Sequence, residues 1–161
     1  MKTEQVKSED APVYAVRGDD AIISRALEIL AQRNAKGVTL GSTNDTKDYL
    51  RLKLAELEHE VFGVVLLDNR HRVLSFHELF RGTLNGTAVY PREVLKLALG
   101  ENAAAVILFH NHPSGVPEPS RADELLTARL KDALNMVDIR TLDHLVIGAE
   151  GVVSFSERGL L

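Results

Sequence analysis

Two histidines stand one residue apart in "ILFHNHPSG" (107–115), directly after an apolar run. If the extended geometry of that run continues, His110 and His112 point to the same face, where one ion can meet both imidazoles. Neutral imidazole nitrogens suit zinc. A catalytic zinc takes three protein ligands and keeps a fourth position for water. Asp123 is the best candidate for the third ligand, because the loop after Pro113 reverses the chain towards it. Ser120-x-x-Asp123 also has a plain reading as a capping box at a helix start, and the two readings are compatible. An H-x-H pair alone is weak evidence. Its combination with a Pro/Gly loop and S-x-x-D at fixed spacing is what points to a metal. A water at such a site also needs a proton acceptor, usually a glutamate. "AELEHE" offers Glu56, Glu58 and Glu60 just before the apolar run 61–67. Composition does not choose among them.

The chain around these residues has 161 residues, 45% of them hydrophobic, which is enough for one domain with a proper core. It has no cysteine, so disulfides and thiolate metal sites are excluded. That is compatible with a cytoplasmic protein. No apolar run approaches the ~20 residues of a membrane span, and the polar N-terminus lacks the apolar segment of a signal peptide. The formal net charge of −4 counts mildly against indiscriminate binding to phosphate backbones.

The elements that must position the candidates follow from periodicity and punctuation. Residues 1–18 read as a loose arm. Asp19–Arg33 has helical spacing, giving an N-terminal helix within 19–37. A domain then fills 38–161. Ser42-x-x-Asp45 opens a second helix with Tyr49, Leu50, Leu52 and Leu54 as its apolar positions. "VFGVVLLD" (61–68) reads as a central strand buried on both faces. "DNRHR" is a hairpin turn and 73–80 returns as a second strand. A short strand is possible within 81–90. Pro91 starts a helix that Gly100 stops. "AAAVILF" (103–109) is another buried strand. A helix runs from Ser120 to about Met136, with an apolar face of Leu125, Leu126, Leu130, Ala133, Leu134 and Val137. "IRTLDHLVIG" and "VVSF" are the last strands. The sum is an α/β domain with a mixed sheet and about four helices. Exposed sheet edges make a homodimer reasonable.

His110-x-His112, seven residues, Ser120, two residues and Asp123, with an upstream glutamate, resembles the JAMM (MPN+ or JAB) metalloprotease motif. The longer wording "HNHPSGVPEPSRAD", with "VFGVVLLD", "LFRGT", "YPREVLKLAL", "NAAAVILFHNHPSG" and "DHLVIG", resembles the RadC family. The match runs from about Leu40 to Ser156.

The resemblance implies a cytidine-deaminase-like MPN (JAB) sandwich. Zn2+ would be bound by His110, His112 and Asp123. "EVFGVV" matches the family's glutamate-before-strand wording, which selects Glu60 as general base and proton carrier to a leaving amine. Ser120 would donate to the substrate carbonyl oxygen. Asn111 would face away from the ion and hold the loop, and Pro113, Ser114 and Gly115 would shape the turn. The implied substrate is a protein or peptide with an amide or isopeptide bond. The alternative is a metal-dependent nucleic-acid-processing or DNA-repair-associated module of a mobile element. RadC proteins commonly carry an N-terminal helix-hairpin-helix segment. Residues 1–40 show no glycine-hairpin pattern, which resembles the short form found on prophages, plasmids and integrated elements.

Other residues carry less. Asp143–His144 reads equally well as support for the site or as a polar pair starting a strand. His59, His71 and His77 read as surface residues. Arg81, Arg92 and Arg121 could line a groove, but each is more simply a solvated charge. The letters "HNH" do not make an HNH nuclease, whose motif residues are not contiguous.

Overall fold

The computed structural model describes residues 37–54, 57, 59–82 and 89–161, together with Ile22 and Arg25. The chain divides into two compact units, 1–35 and 36–161. In the first, Ile22 and Arg25 are helical. The expected arm, the rest of the 19–33 helix, residues 83–88 of the stretch with a possible short strand, and Glu56 and Glu58 lie outside the described residues.

The second unit is built on a five-stranded mixed sheet in the order β2-β1-β3-β4-β5. The strands are β1 (Val61–Leu67), β2 (Val73–Arg81), β3 (Ala105–Asn111), β4 (Arg140–Gly148) and β5 (Gly151–Ser154). β3 and β4 run parallel, and the other neighbours pair antiparallel. Among the described residues three helices flank the sheet: α1 (Thr43–Leu54), α2 (Pro91–Gly100) and α3 (Arg121–Asn135). This is a mixed α/β sandwich, as the sequence implies.

β1 and β3 are buried along their whole length, as their unbroken apolar runs require. One face of the sheet puts Phe62, Val64, Leu66, Val106 and Leu108 against Val94 and Ala98 of α2 and Leu130 and Leu134 of α3. The other puts Val61, Val65, Leu67, Ile107 and Phe109 against Leu50 and Leu54 of α1. Each such large side chain, fully buried, contributes ~1.5–3 kcal/mol. Gly63 is required where the layers close. A Cβ there would stand 2.3 Å from both the Phe109 ring and the His77 carbonyl oxygen.

Local expectations hold in most places. The Ser42 hydroxyl accepts from the Asp45 N–H at 3.1 Å, capping α1. The Asp68 carboxylate accepts from the Arg70 and Arg72 N–H groups at 2.8 and 3.0 Å, closing the hairpin turn. Pro91 opens α2. Three expectations are corrected. Leu125 is 58% exposed rather than part of the apolar face of α3, because Asp123 and Thr127 take the inward positions beside Leu130. Gly100 stays helical, and the chain turns at Asn102, whose φ is 52°. β3 begins and ends two residues later than 103–109. Its polar end remains strand because Asn111 pairs with Ile147 on β4.

Candidate metal centre

β3 presents the histidines. His110 is fully buried within the strand. His112 lies just past it, yet its N–H still donates to the Ile147 carbonyl at 2.7 Å. Extended geometry therefore carries both imidazoles onto one face, with their Nε2 atoms 2.9 Å apart. The His112 Nδ1 stands 2.9 Å from the Val116 carbonyl oxygen. A carbonyl only accepts, so Nδ1 holds the hydrogen and Nε2 is left for a ligand. The loop beyond turns at Gly115, whose φ is 95°. It packs on the β4–β5 turn, where a Cβ on Gly148 would stand 2.2 Å from the Gly115 carbonyl oxygen.

α3 presents Asp123 through its own N-cap. Ser120 accepts from the Asp123 N–H through Oγ at 3.2 Å. Asp123 Oδ2 accepts from the Ser120 N–H at 2.7 Å and from the Ser120 hydroxyl at 2.6 Å. The capping box is real, and it uses only one carboxylate oxygen. Among the described residues the other, Oδ1, is buried without a hydrogen-bond partner. It stands 3.5 Å from His110 Nε2, too long for a good hydrogen bond. The three ligand atoms offered by His110, His112 and Asp123 all lie within 4.8 Å of one another. Burial works against ionisation of Asp123, but His110 and the Ser120 donors outweigh it and hold the carboxyl well below its usual range. Two imidazoles and a buried carboxylate oxygen with no donor are a donor set that fits zinc.

Glu60 stands just before β1 and is half-buried, outside this set of three. Phe62 pairs with His110. Glu60 lies two residues before Phe62, just beyond the paired stretch. Its backbone is held on both sides. Asn111 Oδ1 accepts from the Val61 N–H at 2.7 Å, and Asn111 Nδ2 donates to the His59 carbonyl at 2.9 Å. The Glu60 carbonyl accepts from the Gly82 N–H at 2.9 Å. Asn111 thus grips the segment that carries Glu60.

Asp143 and His144 separate. Asp143 is structural: it accepts from the His144 and Ser156 N–H groups at 2.8 and 3.0 Å and from the Ser154 hydroxyl at 2.6 Å. His144 instead reaches the site, with Nε2 2.8 Å from His110 Nδ1. It is fully buried, and burial together with neighbouring His110 pushes its imidazole well below the ordinary histidine range, leaving it neutral. On its far side His144 Nδ1 meets the Thr127 hydroxyl. Thr127 was not a sequence candidate; the available signal was its place one helical turn after Asp123.

The remaining candidates lie elsewhere. Arg81, Arg92 and Arg121 are exposed and pair with Glu78, Glu93 and Glu124. His77 is half-buried rather than on the surface, 2.7 Å from Glu101. A cleft of about 350 Å³ opens beside His112, between Arg51, Leu54 and Leu57 on one side and Ile147 and Ala149 on the other.

Residues 40–160 match the family model described as RadC-like JAB domain. A UPF0758 protein of Vibrio cholerae is 60% identical over 140 residues, covering 87% of this chain and 88% of that protein. A UPF0758 protein of Marinobacter nauticus is 55% identical over 157 residues, covering 98% of this chain and 69% of that protein. One of Leptothrix cholodnii is 57% identical over 141 residues, covering 88% of this chain, which spans 64% of that relative's length. The chain belongs to the RadC-like JAB domain family.

Proposed function

We propose that this domain is a zinc-dependent hydrolase of the JAMM type, acting on a peptide or isopeptide bond of a protein substrate. One observation carries the reading: Asp123 Oδ1, buried and without a hydrogen-bond partner, faces two imidazole Nε2 atoms. An unsatisfied buried acceptor costs ~1–3 kcal/mol, and a cation among these three atoms removes that cost.

His110, His112 and Asp123 would hold the zinc, which when bound would supply Lewis acidity and lower the pKa of water towards ~7. Glu60 takes a proton from the attacking water as the C–O bond forms. It returns that proton to the amine as the C–N bond breaks. The place of Glu60 just before β1, whose Phe62 pairs with His110, supports this assignment. Ser120 turns its hydroxyl from Asp123 Oδ2 to the substrate carbonyl oxygen as negative charge develops there. The Ser120 N–H keeps hold of Oδ2, so the ligand stays oriented.

Metal analysis tests the reading. Wild type is expected to bind one zinc per chain, and His110→Ala and Asp123→Ala none. Glu60→Gln is expected to keep zinc but lose at least ~10²-fold in turnover on linear and isopeptide-linked peptides. A wild type that neither contains nor takes up zinc removes the proposal. An active zinc-loaded Glu60→Gln removes Glu60 from it.

A further inference from the structure

We infer that the groove between the start of α2 and the middle of α3 binds one nucleotide, through its phosphate and its base. The groove is a cavity of about 390 Å³ lined by Tyr90, Pro91, Arg92, Arg129 and Ala133. It shares no residue with the candidate metal centre, and the inference owes nothing to the zinc reading. On α3 Asp123, Thr127 and Leu130 face inward, whereas Arg129 is exposed. The charge of the groove is one-sided. Among the described residues Arg129 has no hydrogen bond or ion pair. Arg92 is 80% exposed and meets a carboxylate only through Nε, 3.5 Å from Glu93, too long for a good hydrogen bond. Glu93 also stands 3.7 Å from Lys96 and lines a separate cavity with Leu79 and Leu97. Among the described residues no carboxylate lines the groove itself. Two uncompensated guanidinium groups select an anion, and their planar forks fit phosphate oxygens in pairs.

The aromatic ring supplies the second half of the site. Tyr90 is half exposed, and the Arg92 guanidinium carbon lies over its ring, 5.5 Å from the centroid. A guanidinium held against an aromatic face continues its flat surface. Pro91 and Ala133 add apolar atoms beside it. A base stacks on such a platform through its π-face. Size and charge choose one nucleotide over a strand. The cavity lies near the small end of ligand pockets, which run from ~300 to ~1,000 Å³. The formal net charge of −4 opposes a long phosphate backbone.

The test titrates zinc-free protein, in which no metal competes for the phosphate, with adenosine monophosphate and follows protein NMR shifts. Adenosine and inorganic phosphate serve as the two halves of that ligand. Adenosine monophosphate is expected to bind at least tenfold more tightly than either half and to shift the signals of Tyr90 and Arg129. Arg129→Gln is expected to lose about ten- to a hundredfold in affinity. Tyr90→Leu should lose about five- to a hundredfold, while Tyr90→Phe, which keeps the ring, stays near wild type. No binding of adenosine monophosphate, or binding no tighter than that of one half, overturns the inference. So does equal affinity of Arg129→Gln and wild type, which would put the ligand elsewhere. Octathymidylate that binds more tightly per nucleotide than adenosine monophosphate overturns the choice of a single nucleotide. Should Tyr90→Leu not fold, Arg129→Gln, a change at an exposed side chain, still decides.

Discussion

Asp123 shows how one side chain meets two demands. Oδ2 closes the start of α3, and Oδ1 remains for a ligand. His144 is the second residue whose chemistry depends on its surroundings. Its imidazole is held well below the ordinary value of 6.5. As pH falls below about 6.5, unfolded chains take up a proton that the folded protein refuses. Stability is therefore present above that pH and is lost on acidification, by up to about 1.4 kcal/mol per pH unit for this one group. Urea unfolding of zinc-free wild type and His144→Gln at pH 6.5 and 5 should show a steeper loss in wild type. Parallel profiles would mean that folded His144 titrates normally.

At the scale of elements, the end of β3 governs the site. It stays extended through Asn111 because β1 and β4 flank it. Alternation then sends His110 to the metal side and Asn111 to the other, where Asn111 grips the residues on either side of Glu60. Asn111→Ala leaves the buried Val61 N–H without its acceptor. We expect a loss of ~1–3 kcal/mol in urea unfolding, unchanged zinc content, and lower turnover because Glu60 is less firmly held. Loss of zinc from this variant would instead place Asn111 in support of the ligands.

Across the whole molecule, four separated stretches meet at one end of the sheet: Glu60, His110–His112, Ser120–Thr127 and His144. An ion held by His110, His112 and Asp123 would link the end of β3 to the start of α3, so it should stabilise the fold by mass action. At zinc one hundred times its dissociation constant the gain is ~2.7 kcal/mol. For a domain of this size that is roughly 5–11 °C in Tm. Differential scanning fluorimetry with zinc and with excess chelator measures it. Asp123→Ala should show no zinc-dependent shift, and a shift equal to wild type would place the ion elsewhere. Among the described residues no helix is long and apolar enough to cross a membrane.

Patterns between near neighbours were legible in the chain. The buried strands showed as unbroken apolar runs, α3 as a capped periodic segment, and the candidate ligand set as H-x-H followed by S-x-x-D. These depend on short-range geometry, the 2-residue period of a strand and the 3.6-residue period of a helix. Even there, periodicity named Leu125 as inward when Asp123 and Thr127 hold that side. Contacts between distant segments needed the folded chain. Asn111 meets Val61 across 50 residues and His110 meets His144 across 34. Strand order and register bring them together, and a residue's own sequence neighbours do not carry that information. The candidate ligands could therefore be proposed from spacing, whereas what holds Glu60 and what packs against His110 are properties of the sheet.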